Sequence, residues 1–404
     1  MAWELATFGR SLLAADGKAV QALATEEEAL AGVEVEVVAP GEAVRITHVL
    51  DAVEPRIRTD GRSAFPTAGR AGEGRTNRLD GVVLISSLDF PGEERPLHEQ
   101  EALIDLGGPG APLTPFSGMT NVVLSFQAAP GQGNEEVEAA ARRVALAAAE
   151  EVARPTLDAE PDEIERFELG PADESLPAVV ALMQLSDLGP LYYQYVYGVP
   201  AGDAGLPRAV DPAEVLDGAV TCGEYHWAAL RNPTIFFQRN ELIRALFRRH
   251  GEQLRFAGLV LMRGYEQSAE DKERAAELAA GLAGELGADA AVITTDGGGN
   301  SHTDTMLTCR ACERAGVRTA VIVAEMADPD ATNPGLTDWV PEADCIASPG
   351  NAEELVPAWT PARVLGGDLL LDGTPAASAG PIPVRNYLGA TNQMGQLDLT
   401  ATTW

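Results

Sequence analysis

The sequence predicts an α/β protein: a β-rich mixed N-terminal domain followed by a doubly wound parallel-sheet domain of flavodoxin or Rossmann type. Two observations carry this. Early in the chain, apolar and polar residues alternate at period two, as in VEVEVVAP, between Pro and Gly punctuation. From residue 255 onward, short apolar runs alternate with longer amphipathic ones, the order that lays parallel strands between two helical layers. At 404 residues the chain has length for two ordinary domains, each with its own core. The expected division is 1–221 for the β-rich part and 222–365 for the doubly wound part, with 366–404 a tail that packs on the body or on a partner.

In chain order, VEVEVVAP runs into GEAVRITHVLDAVEPRI, a series of strand-like runs broken by Pro and Gly. LDGVVLISS (79–87) reads as a buried strand, and IDLGGPGAPLTPFSG (104–118) as irregular chain. NVVLSFQAAP is a strand, and NEEVEAAARRVALAAAEEVA (134–153) a helix with Asn134 as its N-cap. Residues 154–177, acidic and Pro-bearing, read as a surface excursion, while LPAVVALMQLSD and LGPLYYQYVYG are apolar enough to be buried. Past residue 222, NELIRALFRRHG is a helix, RFAGLVLM (255–262) a strand, and AEDKERAAELAAGLAGELG (269–287) an amphipathic helix stopped by Gly287. ADAAVITTDGGGNSH is a strand opening into a glycine-rich loop. DTMLTCRACERAG is a helix, VRTAVIVAEMAD a strand and ADCIASPGN a last short strand, which would bury Cys345.

Sixty-one acidic against 29 basic residues give a net charge of −32, with Lys18 and Lys272 the lysines in an otherwise Arg-only basic set. Such a surface repels nucleic acid and anionic membranes, so neither is an expected partner. No run of about 18 apolar residues occurs, and the N-terminus lacks the apolar segment of a signal peptide. Four cysteines are too few for a disulfide scaffold at this length, and a reducing, cytoplasmic setting is expected.

The loop TTDGGGNSHTDT (294–305) follows a strand and precedes a helix, where backbone N–H groups can meet an anion. Its glycines Gly297, Gly298 and Gly299 allow close approach, and Asp296, Asn300, His302 and Asp304 could supply acid, base or orienting groups. It matches neither the phosphate-loop pattern nor GxGxxG, so no nucleotide is expected; a flexible turn with a capping Asp is the plainer alternative. Cys309 and Cys312 form a CxxC inside a helix with no second pair, which favours two buried small side chains over a zinc or redox site, and no metal is expected. The aromatic run LYYQYVYG (191–198) fits core or a subunit interface, with ring stacking as the other reading. His48, His98 and His250 have no ligand-like spacing and read as surface or packing residues. Cys222, in LDGAVTCGEYHW (216–227), stands at a loop-like junction before Gly223. It fits an ordinary buried thiol. That is the plainer reading; the other is a thiol that attacks its own backbone at Thr221, where Gly223 supplies torsional freedom.

Across most of its length the chain resembles the proprotein subunit of component B of the glycine, sarcosine and betaine reductases, and more distantly the proprotein of D-proline reductase. In the first half the likeness lies in PGEAVRI (40–46), EPRI (54–57), GRTNRLDGVVL (74–84) and IDLGGPGAPLTPFSGMTNVV (104–123). In the second it lies in RNPTIFFQRNELIRALFRRHG (231–251), DKERAAELA (271–279), ELGADAAVITTDGGGNSHTD (285–304), CRACERAGVRTAVI (309–322) and IASPGN (346–351).

The resemblance implies cleavage before a central cysteine, giving two subunits and a pyruvoyl group; Cys222 falls on that position. Thr221 stands ahead of it where relatives of this layout commonly carry Asn. An N→S shift uses only the backbone carbonyl, so this departure need not block it. The implied reaction is reductive C–N cleavage of a small amino acid or amine, the pyruvoyl carbonyl withdrawing electrons from the C–N bond. The implied nucleophile belongs to other proteins, a selenocysteine- or cysteine-containing component B subunit and a small selenoprotein A-like protein, in an oligomeric assembly. Glu224, Tyr225 and His226 lie near enough in sequence to assist processing. Two other readings stay open: an unprocessed binding or scaffolding subunit of such a complex, and a biosynthetic relative acting on another carbon–heteroatom bond.

Overall fold

The structure is a computed structural model that describes residues 2–13, 17–89, 101–187, 194–223, 230–328, 330, 332–378 and 380–394. Strands β1 (Leu30–Val38), β2 (Val49–Val53), β3 (Val82–Asp89) and β4 (Thr120–Ala128) form a mixed sheet in the order β1-β4-β3-β2. The central pair is parallel and the outer pairs antiparallel. Helix α1 (Asn134–Ala153) lies against this sheet because Val137, Ala141, Val144, Ala148 and Val152 fall on one face at helical spacing and join its core. Gly133 takes the N-cap position with extended backbone, so Asn134, expected there, is instead the first helical residue. Glu135 and Glu136 in the first turn complement the positive end of the helix without a side-chain cap.

A second four-stranded sheet runs Glu163–Phe167, Trp3–Phe8, Gly74–Leu79, Arg56–Arg58. The acidic excursion expected over 154–177 therefore contains an edge strand. Phe167 turns its ring onto Trp3 at 5.0 Å while Glu163 and Ile164 stay exposed, which is why the segment looks solvent-facing in sequence.

The elements around the site are β5 (Ala178–Leu185), β6 (Gln194–Val196), β7 (Arg208–Val210), β8 (Val220–Cys222), α2 (Thr234–Gln238), α3 (Glu241–Arg249), β9 (Arg255–Arg263), α4 (Ala269–Glu285), β10 (Ala290–Thr294), α5 (Asn300–Arg314), β11 (Arg318–Ile322) and β12 (Ile346–Ala347). Six of these strands form one sheet in the order β7-β9-β5-β10-β11-β12, parallel except for β7. Alternate residues face opposite layers. Ala181, Met183, Leu185, Leu259 and Leu261 pack with Ile243 and Leu246 of α3, whereas Val180, Leu182, Val260, Met262 and Ile293 pack with Ala279 of α4 and Met306 of α5. The sheet is covered on both faces, and the α/β class read from the sequence holds.

From β9 to β12 the strand order is that of a flavodoxin-type sheet, and it reverses between β5 and β10. Open sheets bind ligands outside the carboxyl ends of the strands at such a reversal, here beyond Leu185 and Thr294. The sheet takes β5 and β7 from before residue 222 and its other strands from after it. In the tail, Leu371 and Leu388 enter the core under α1, and Leu370, Ile382, Val384 and Tyr387 pack on Leu103. Among the described residues no helix is long and apolar enough to cross a membrane.

Candidate functional site

Strand β8 brings Thr221 and Cys222 to the reversal point. It pairs antiparallel with β6, which follows the carboxyl end of β5, setting Gln194 opposite Cys222 and Tyr195 opposite Thr221. Both site residues are buried, Cys222 at 0% exposure and Thr221 at 4%. The approach is a wide turn over Val215–Ala219, fixed by the Asp217 carboxylate, which accepts from Arg58 Nη1 and Thr76 Oγ1 at 2.5 Å each and from the Gly72 N–H at 2.8 Å. Gly218 has φ 89°, and a Cβ there would strike the Ala64 carbonyl, so glycine alone fits. Arg142 of α1 donates Nη2 to Thr221 Oγ1 at 2.6 Å while its guanidinium lies 3.7 Å over the Tyr195 ring. A cleft lined by Ser63, Phe65, Arg142, Gly218 and Thr221 opens at this point.

Behind the strand a hydrogen-bonded chain ends on the Thr221–Cys222 amide. The Cys222 N–H donates to Thr234 Oγ1 at 2.8 Å, and that hydroxyl donates to Asp51 Oδ2 at 2.5 Å. Asp51 Oδ1 accepts from the Thr234 N–H at 2.9 Å and from the Ala52 N–H at 2.8 Å. Burial pushes the Asp51 carboxyl up to about 6, against the hydrogen bonds from Thr234 and the charge of Arg231. A group so placed exchanges its proton near neutrality, and Thr234 connects it to the nitrogen of residue 222.

A second chain joins the cysteine strand to the glycine loop. The Gln194 side chain donates to the Asn232 carbonyl at 3.4 Å, and Asn232 donates its N–H to Asp296 Oδ1 at 2.9 Å and its side-chain amide to the same oxygen. Asp296 is thereby brought into the neighbourhood of β8. The rest of the loop disperses. The Gly297 N–H donates to the Leu230 carbonyl at 2.6 Å and the Gly298 N–H to the Tyr265 hydroxyl at 3.1 Å, so these two amides are engaged within the chain. The absence of a side chain at Gly297 makes room for the Tyr265 hydroxyl, which a Cβ would strike. Gly299 caps α5, Asn300 is exposed, and Asp304 pairs with Lys272 Nζ at 2.7 Å and accepts from the Tyr265 N–H at 2.8 Å. His302 is fully buried, accepts from the Thr337 N–H at 3.3 Å through Nδ1, and is pulled down to about 4 by burial, so its ring is neutral at pH 7.

Cys309 and Cys312 are buried in α5, where burial pushes the Cys312 thiol up to about 12 and raises that of Cys309. Thiols so held stay protonated. Cys345, expected in a buried strand, is exposed instead: β12 has only two residues and begins after it, at the sheet edge. His48 is a buried packing residue whose Nε2 lies 2.8 Å from the Leu369 carbonyl, and His250 bonds the Gly170 carbonyl and the Phe256 N–H. Glu224, Tyr225, His226, His98 and Leu191 to Tyr193 of the aromatic run lie outside the described residues. Among the described residues no group of three or more His, Cys, Asp or Glu could hold a metal ion.

Asp51, Arg142, Gln194, Asn232 and Thr234 carry no motif that marks them in the sequence. The one available signal is RNPT, two strongly polar residues and a Pro set against the apolar run IFF, where an unburied stretch would be expected and Asn232 and Thr234 are in fact buried.

The sheet order and the polar chains at its reversal define the class: an α/β protein whose candidate reaction centre sits at the carboxyl edge of the sheet, on a strand bearing a buried cysteine. More particularly, the chain belongs to the family of glycine/sarcosine/betaine reductase component B subunits, whose model matches residues 4–394. It is 34% identical over 408 residues to the sarcosine reductase complex component B subunit alpha of Peptoclostridium acidaminophilum, covering 98% of this chain and 91% of that protein. It is 32% identical over 401 residues to the glycine reductase complex component B subunits alpha and beta of Acetoanaerobium sticklandii, covering 94% and 91%. With the betaine reductase complex component B subunit alpha of Peptoclostridium acidaminophilum it shares 33% identity over 355 residues, 82% of this chain and 77% of that protein. No solved structure matches the chain.

Proposed function

We propose that this chain is a subunit of a glycine, sarcosine or betaine reductase-like complex, cleaved before Cys222 to carry a pyruvoyl group and acting in reductive C–N cleavage of a small amino acid or amine. The observation that carries this reading is the hydrogen bond from the Cys222 N–H to Thr234 Oγ1, with the Asp51 carboxyl behind it. Cys222 Sγ attacks the Thr221 carbonyl carbon, the C–N bond breaks, and the residue 222 nitrogen takes up a proton as it leaves. The Thr234 hydroxyl accepts from that N–H and donates to Asp51; with Asp51 protonated, its carboxyl near 6, the hydroxyl takes the Asp51 proton and turns its own hydrogen to the departing nitrogen. Loss of the Cα proton of residue 222 then breaks the Cβ–S bond and expels Thr221 as a thiocarboxylate. Water replaces the freed nitrogen as ammonia, leaving the keto group. A second water releases hydrogen sulfide and leaves fragment 1–221 with a carboxyl end. Arg142 holds the hydroxyl of Thr221, the residue whose carbonyl reacts.

The pyruvoyl carbonyl supplies electron withdrawal beside the substrate's amine. The amides at 297 and 298 are engaged within the chain, so the loop does not offer them to a substrate anion. The protonated thiols of Cys309 and Cys312 do not suit the second nucleophile. That group is assigned to a selenocysteine- or cysteine-containing partner subunit, with a selenoprotein A-like protein as its acceptor. Intact mass of the purified chain, made alone and with its neighbouring subunit, tests the reading. Fragments 1–221 and 222–404, the second blocked at its N-terminus and reactive with a hydrazide, are expected. A single unmodified chain under both conditions would sink it.

A further inference from the structure

Arg231 is the most conspicuous charge that processing leaves unused. Its side chain is fully buried, yet among the described residues no carboxylate lies within ion-pair distance of it. Nη2 makes one long bond, to the Val49 carbonyl at 3.3 Å, while Nε and Nη1 have no hydrogen-bond partner. A guanidinium presents its donors as a planar fork, and leaving part of that fork empty in a buried site is costly unless an acceptor arrives. The fork matches a carboxylate in shape as well as charge.

It lies near the reaction centre in the fold: Nη2 bonds the carbonyl of Val49, two residues before Asp51, and Arg231 stands three residues before Thr234. Asp51 accepts from Thr234, which in turn receives the Cys222 N–H, and the field of Arg231 reaches Asp51. It also reaches Glu138, which lies one helical turn from Arg142, the residue bonded to Thr221. Arg231 thus belongs with the residues of β2, α1 and the Thr234 segment that surround the Thr221–Cys222 junction. In a chain of net charge −32, a buried cation with open donors is the local exception that would admit an anion.

We propose that Arg231 binds the carboxylate of the substrate, orienting a small α-amino or N-methylated amino acid with its nitrogen toward residue 222. This deepens the pyruvoyl reading and rests on it for the direction in which the substrate points. It predicts discrimination against amines that lack a carboxylate.

Calorimetric titration of the wild-type chain, Arg231→Met and Arg231→Lys with glycine, N-methylglycine, acetate, glycinamide and methylamine tests this, with circular dichroism checking the fold. Glycine, N-methylglycine and acetate are expected to bind the wild type and glycinamide and methylamine not to, with Arg231→Met weakening the carboxylates by roughly 100-fold, as for loss of a charged bidentate pair. Arg231→Lys is expected to recover part of that loss. Equal binding of acetate and methylamine by the wild type, or unchanged acetate binding by either variant, overturns the assignment. Intact mass is read on the same samples. Normal cleavage of Arg231→Met separates binding from processing, whereas a block in cleavage assigns Arg231 to processing and overturns its role as an anchor. Wild-type carboxylate selectivity in a chain that never cleaves would keep the Arg231 site and discard the pyruvoyl reading.

Discussion

Thr234 links the two groups, because one hydroxyl both accepts from the residue 222 N–H and donates to Asp51. Thr234→Val keeps the shape and removes both bonds; cleavage followed by mass is expected to slow by about 100-fold, the scale of a lost proton-transfer partner. Asp51→Asn is expected to slow it similarly, and equal rates for both variants and wild type would remove the relay from the mechanism. Because burial raises Asp51 to about 6, its protonated fraction falls as pH rises past that value, and cleavage is expected to be slower at pH 8 than at pH 6. At this scale little was legible. Cys222 stood out through resemblance, and Asp296 through its place at the end of a strand. Asp51 and Thr234 lie 183 positions apart and meet only in the fold, so no spacing could report them.

Helix α1 presents two polar residues on its buried side, Glu138 and Arg142, one turn apart. Burial pushes Glu138 up to about 7, with Arg231 pulling the other way. Between the unfolded value near 4.5 and about 7, the folded chain holds a proton that the unfolded chain has released, so stability falls as pH rises through that window. Glu138→Gln is expected to remove on the order of 3 kcal/mol of this slope, read from urea denaturation at pH 5 and pH 8. A slope as steep as wild type would show that Glu138 is not the group. In the turn before β8, Gly218→Ala meets both a left-handed backbone and the Ala64 carbonyl, and is expected to destabilise by on the order of 3 kcal/mol, seen as a lowered Tm. The elements themselves were largely readable: α4 and the strands β9 to β11 follow directly from periodicity and stop signals, while α5 begins at Asn300, inside the stretch read as loop. The exceptions, the Glu163–Phe167 strand and the exposed Cys345, are short edge pieces that a handful of tertiary contacts decide.

Over the whole molecule, residues on the two sides of position 222 are interleaved rather than adjoined. β5 lies between β9 and β10 with a full parallel ladder on each side. Phe236 and Leu388 enter the core under α1, the Arg363–Leu365 strand pairs with Val44–Ile46, and Arg239 grips buried Glu54 at 2.5 Å. Burial acts to raise Glu54, but Arg239, Arg56 and Arg78 outweigh it and hold the carboxylate well below its usual range. The boundary expected at 221 came from a change in local pattern, and strand pairing across it leaves no trace in local pattern. Fragments 1–221 and 222–404 are accordingly expected to elute together in gel filtration and to part only in denaturant; separate elution under native conditions would contradict the shared sheet.

The same interleaving would make the proposed cleavage a certificate of folding. The acid comes from a strand before the break and the threonine from a helix after it, so neither half holds the machinery alone. A chain that has not threaded β5 between its two neighbours has no relay at residue 222 and stays whole, and only molecules that have passed this inspection would acquire a reactive carbonyl.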